Sequence, residues 1–146
     1  MPRRLLTLLW HREPLAVAPS LGLLAVRFAA GAAFMLHGWG KIQHPTSWMG
    51  AASAMPGALQ LLAAVSEFGG GAAWVLGLFV PLASLGVLCT MAVAVASHVK
   101  EGAPFVGSGH SYELALVYGA IAVLLALAGP GRFATDAWLR RGGRAP

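Results

Sequence analysis

The chain reads as an all-α, polytopic membrane protein, an antiparallel bundle of four transmembrane helices. Three observations lead there. Of 146 residues, 58% are hydrophobic and only 10% are charged, whereas a soluble domain carries about a quarter charged residues. The apolar residues gather into four blocks, roughly 15–36, 58–80, 82–98 and 113–129, instead of spreading as amphipathic stripes. The first two blocks are each long enough to cross the ~30 Å hydrocarbon core, which takes about 20 residues at about 1.5 Å of rise. A membrane β-barrel would show short alternating segments instead. The length allows one compact unit: a bundle over 15–130, preceded by an interfacial segment at 1–14 and followed by a basic cytoplasmic tail at 131–146.

Residues 2–13 read PRRLLTLLWHRE. Leu5, Leu6, Leu9 and Trp10 can share one face with arginines beside them, which suits a short helix lying on an anionic leaflet. Pro14 and Pro19 bracket the exit into the first span, which is expected to end at His37. That span is longer than the apolar core of a signal peptide and is interrupted by Arg27, which argues against cleavage. The connection 37–57 is rich in Gly, Pro and Trp and too polar to span. Trp39 and Trp48 suit an outer aromatic belt, and Trp10, Phe133 and Trp138 an inner one.

The second span is expected to begin at Gly57. A tight turn at Pro81 makes it an antiparallel neighbour of the third. The segment 99–112, VKEGAPFVGSGHSY, reads as a flexible outer loop. The fourth helix should run from Glu113 to Ala128 and stop at the Gly-Pro-Gly of 129–131.

The net charge of +5 does not point to nucleic acid, because the basic residues lie outside the spans. Arg3, Arg4, Arg12, Arg132, Arg140, Arg141 and Arg144 flank the four blocks, against Lys41 and Lys100 in the two long connections. By the positive-inside rule both termini are cytoplasmic. The single cysteine, Cys89, has no partner for a disulfide and reads as a small buried apolar residue.

Arg27 and Glu67 are the two charges well inside the apolar blocks. Arg27 lies ten positions before His37, and Glu67 ten after Gly57. Antiparallel neighbours would then place both about 15 Å below one membrane face, at a depth where a charge needs a partner. They are expected to pair, helped by the small-residue rows Ala25, Ala29, Ala33 and Gly69, Ala73, Gly77. The pair could lock the bundle, form part of a site, or both. His37, Lys41, His98, His110, Tyr112 and Glu113 gather at the same face as a polar rim, able to bind a head group, relay protons or hold a small ligand. His44 and His110 read as plain loop residues. His37 and His98 could ligate a haem from facing helices, or join Glu113 around zinc. No spacing signature supports either, and no metal site is assigned.

Five stretches carry a resemblance: RFAAGAAFMLHGWGK (27–41), EFGGGAAWVLGL (67–78), MAVAVASH (91–98), YEL (112–114) and GPGRFATD (129–136). In that order they resemble the DoxX family of small four-helix membrane proteins. The resemblance implies a bacterial inner-membrane bundle. Some relatives link sulfur-compound oxidation to the quinone pool. Others associate with soluble oxidoreductases or sulfur-transfer enzymes. The recurring polar positions of the family carry over to Arg27, Lys41, Glu67, His98 and Glu113.

The expectation is a membrane subunit of a quinone-linked redox system. Arg27, Glu67, His98 and Glu113 would serve the chemistry, and His37, Lys41, Phe68 and Trp74 would bind the ligand. Two alternatives stay open: a non-enzymatic binder or carrier of a small lipophilic molecule, and a membrane anchor for a soluble oxidoreductase. A homo-oligomer also stays open.

Overall fold

The computed structural model describes residues 15–142, and among them the chain is all-helical, with no strand. The interfacial helix expected over 2–13 lies outside the described residues. Three helices are long and apolar enough to cross a membrane: α1 (Val17–Gln43), α2 (Gly57–Leu76) and α3 (Val80–Lys100). The apolar α4 (Glu113–Ala128) has 16 residues, and a short α5 (Thr135–Gly142) follows. α4 has the bounds its flanking residues predict, with Gly129 and Gly131 at positive φ on either side of Pro130.

α1 is longer than expected. It continues through HGWGKIQ and ends only at Gln43, 27 residues in all. The glycines there serve packing rather than a loop. A Cβ on Gly38 would stand 2.5 Å from the Phe68 amide nitrogen, so glycine is what lets α2 lie against α1 at this level. The two helices run antiparallel. Moving up α1, Arg27 meets Trp74, Gly31 meets Gly71, Gly38 meets Phe68 and Lys41 meets Glu67.

The buried stripe of α1 is Ser20, Leu23, Arg27, Ala30, Gly31, Phe34 and Gly38, the three-and-four spacing of one helical face. The expected contact row is therefore displaced, since Ala25, Ala29 and Gly69 are exposed. α2 contains one wide π-turn, Val65–Gly69. It ends at Gly77 (φ +69°), three residues before α3 begins, so the turn falls at 77–79 and not at Pro81. Pro81 sits in the first turn of α3, where its missing N–H has no helical partner to lose.

One core joins all four long helices: Leu23, Ala30 and Phe34 of α1, Trp74 of α2, Val80, Val87 and Met91 of α3, and Ala122 and Leu125 of α4. Trp74 is its largest member. Its ring meets Phe34 edge-on at 5.5 Å, and its Nε1–H donates to Ser84 Oγ at 3.0 Å, so burying the indole leaves no unmet donor. Outward faces are also apolar: Leu36, Leu62, Leu82 and Leu127 are exposed, as suits helices whose solvent is lipid. Cys89 is exposed among them and is not a core residue. α3 is apolar all round, so no stripe in its sequence tells its inner face from its outer one.

Candidate functional site

Arg27 and Glu67 are both buried, with 1% and 3% exposure, but they do not meet. The guanidinium instead binds four backbone carbonyls. Nε donates to Trp74 at 2.7 Å, Nη2 to Val75 at 3.2 Å, and Nη1 to Pro130 at 2.7 Å and Phe133 at 2.9 Å. Trp74 and Val75 lie in the last turn of α2, whose carbonyls lack the full set of helical donors (that of Trp74 also accepts from the Gly77 amide at 3.2 Å) and carry the negative end of the helix dipole.

A cation planted there from α1 satisfies carbonyls that lipid could not. The same end is tied further by the first turn of α5. Thr135 Oγ1 donates to the Leu76 carbonyl at 2.7 Å, and the Asp136 carboxylate accepts from the Phe79 and Val80 amides at 3.0 and 3.3 Å, capping α3. Arg27 is thus a hub joining α1, the α2 terminus and residues 130–133. The expected pairing with Glu67 fails because α1 runs six residues past His37. Arg27 is then fourteen residues below Lys41, about 21 Å along the axis.

Glu67 pairs with Lys41. Nζ lies 2.6 Å from Oε1, with side chains 26% and 4% exposed. The other carboxylate oxygen, Oε2, is buried and finds no donor among the described residues. Glu67 sits in the π-turn, a widened turn of a kind that recurs where a helix carries a functional side chain.

The connection between α1 and α2 completes the surroundings. Buried Gln60 organises it: Nε2 donates to the Met55 carbonyl at 2.9 Å, Oε1 accepts from the Met49 amide at 3.1 Å, and the Gln60 carbonyl accepts from Trp48 Nε1 at 3.0 Å. Trp48 so held lays its ring 4.5 Å from Lys41 Nζ, a cation–π contact. Gln60 and Trp48 are the site residues that sequence reasoning missed. The available signal was an amide inside an apolar run, facing a Trp-rich connection of fixed length.

The remaining candidates divide. Phe68 follows Glu67 and packs against Trp39 in a tilted arrangement, with ring centres 5.7 Å apart. Trp74 is core. His37 is exposed and lies beside Tyr118 at 6.4 Å, whereas His98 faces His110 at 4.7 Å, so the two proposed haem ligands turn to different neighbours. Glu113 is exposed at the start of α4. An open groove of about 460 Å³ flanks the Arg27 end, lined by Leu24, Phe28, Val75, Leu76, Phe133 and Trp138 among others.

These features define a multi-pass helical membrane protein with one hub of arginine-bound carbonyls and, toward the other end of α1, a buried, half-satisfied ion pair. The DoxX family profile matches residues 22–99, just over half of the chain and the part that holds Arg27, Lys41, Glu67 and His98; the chain belongs to the DoxX family. No curated protein and no solved structure matches it.

Proposed function

We propose that the protein is a four-span subunit of a quinone-linked redox system, with the Lys41–Glu67 pair as its head-group site. The fourth span is α4. Its 16 residues extend about 24 Å, shorter than the ~30 Å core, a mismatch that local thinning of the bilayer accommodates. Four crossings return both termini to one side, the cytoplasmic side of a bacterial inner membrane by the distribution of arginines.

The observation that carries the reading is Glu67 Oε2. An unpaired carboxylate oxygen in an apolar interior is costly and marks a place for a donor or a proton. Lys41 Nζ, bonded to one Glu67 oxygen, has two further N–H donors for a carbonyl oxygen of a bound ring. Glu67 can hold and release a proton beside it, Trp48 screens the ammonium, and Phe68 borders the pair. A quinone, when bound, supplies the two-electron chemistry. Lone Cys89 offers no thiol pair, so the electrons would come from a partner such as a soluble oxidoreductase or sulfur-transfer enzyme.

The test is a thermal-shift titration of the detergent-solubilised protein with a short-tailed benzoquinone, together with extraction of co-purified quinone. Saturable stabilisation that Glu67→Gln and Lys41→Met remove is the expected result. Neither bound quinone nor a shift in the native protein would sink the reading.

The groove at the Arg27 end favours a second reading, a binder or carrier of a small lipophilic molecule without electron transfer. Native mass spectrometry showing a retained apolar ligand in Lys41→Met, and no quinone-dependent shift, would select it.

A further inference from the structure

His98 and Glu101 stand one turn apart at the C-terminal end of α3, on one face. His110 reaches them from the connection to α4. That connection is not loosely draped. The Ala103 amide donates to the His98 carbonyl at 2.9 Å, and the Glu113 amide donates to the Phe105 carbonyl at 3.0 Å, pinning both ends of the loop. Gly109, at φ +103°, supplies the backbone reversal immediately before His110.

The three side chains converge. His98 Nδ1 lies 3.5 Å from His110 Nε2, that same nitrogen lies 2.9 Å from Glu101 Oε2, and the three ligand atoms all fall within 4.8 Å of one another.

Hydrogen bonding alone satisfies this cluster poorly. A single His110 Nε2 faces both partners. If it donates to the carboxylate it has no lone pair left for His98, and if it accepts from His98 it cannot donate to Glu101. A cation at the centre removes the conflict by using one lone pair from each. The spacing is close to what that requires. Two nitrogens bound to one tetrahedral Zn²⁺ at about 2.0–2.1 Å stand about 3.3 Å apart.

We infer that His98, Glu101 and His110 form a binding site for a divalent transition metal of the Zn²⁺ class, clamping the α3–α4 connection to the end of α3. Two imidazoles and a carboxylate are the donor set of open zinc sites. His110 and Glu101 are 58% and 59% exposed, so a fourth position is left for water or a partner's ligand. The site stands apart from the Lys41–Glu67 pair and does not depend on its role.

The experiment uses the full chain without a histidine tag, purified in detergent and stripped with chelator. Zn²⁺ binding is measured by equilibrium dialysis, and Co²⁺ binding by its visible absorption. One Zn²⁺ per chain is expected, with the intense bands of low-coordinate Co²⁺. Losing even an outer partner of a metal ligand weakens affinity about 10–100-fold, so His98→Ala, Glu101→Gln and His110→Ala should each weaken Zn²⁺ binding about tenfold or more. His44→Ala should leave it unchanged. The substituted side chains lie at the surface end of α3 and its loop, and an unaltered helical circular dichroism spectrum would show that folding is retained. The absence of saturable Zn²⁺ binding, or affinity that survives both His98→Ala and His110→Ala, would overturn the inference.

Discussion

Lys41 Nζ stands 2.6 Å from Glu67 Oε1 and 4.5 Å from the centre of the Trp48 ring, so one ammonium is held between a buried anion and an aromatic face. Removing the cation alone strands the carboxylate. Lys41→Met is expected to cost about 3 kcal/mol, the low end for breaking a buried pair because Lys41 is partly exposed. Glu67→Gln should cost less, since the amide still accepts from Nζ. The double variant Lys41→Met/Glu67→Gln should regain part of the loss of Lys41→Met, because neither charge is left alone. Unfolding in mixed detergent micelles, run as a double-mutant cycle, measures the coupling. Simple additivity would mean that the pair does not act as a unit.

Arg27 answers to a different chemistry. Five N–H donors in a planar fork serve four carbonyls from two chain segments, and a lysine offers three donors on a single atom. Arg27→Lys keeps the charge yet loses at least one charge-assisted hydrogen bond, an expected cost of about 2–3 kcal/mol. Its second signature should be faster proteolysis of the segment after Pro130. Quinone-dependent stabilisation should persist in whatever fraction folds, because Arg27 lies about 21 Å along α1 from Lys41. A lysine variant as stable as the native protein would contradict the hub.

Why Arg27 and Glu67 were legible as buried, and illegible as to partner, follows from what each inference needs. Burial follows from position in an apolar run alone. Partner choice requires the relative height of two helices, and that depends on where α1 ends. Residues 37–43 carry two glycines, a histidine and a lysine and look like a loop by propensity. Close packing of Gly38 on Phe68 overrides the propensity and moves the register. The α4 boundaries were legible because Gly-Pro-Gly stops a helix by local geometry. The outward face of Cys89 was not, because a helix apolar on every side carries no record of which side is lipid. Gln60 and Trp48 enter the site through tertiary hydrogen bonds with no fixed sequence spacing.

The α1–α2 register has its own test. A Cβ on Gly31 would fall 2.7 Å from the Gly71 carbonyl oxygen, and one on Gly71 would fall 2.6 Å from that of Gly31. The obstacle each time is backbone, which cannot rotate aside. Gly31→Ala and Gly71→Ala should therefore each cost about 1–3 kcal/mol as overpacking. Gly22→Ala, in the same helix with nothing within 4 Å of its added Cβ, should be neutral or stabilising by up to about 1 kcal/mol. Thermal denaturation in one detergent compares all three. Equal effects at Gly22 and Gly31 would mean that helix propensity, and not close approach, governs the site.

Leu82, Leu85, Cys89 and Val93 form an exposed row along α3, at the three-and-four spacing of one face. If that face meets lipid, Cys89 lies near mid-membrane, because it stands near the middle of a 21-residue helix. It is the one cysteine in the chain, so a nitroxide can be attached there without engineering. Oxygen dissolves in hydrocarbon, whereas a charged or chelated nickel reagent stays in water. The label in reconstituted vesicles should therefore relax strongly with oxygen and weakly with nickel. Strong relaxation by nickel would place this face of α3 in water and contradict its crossing. Weak relaxation by both would place Cys89 against protein, as it would be in an oligomer that covers the Leu82–Val93 row.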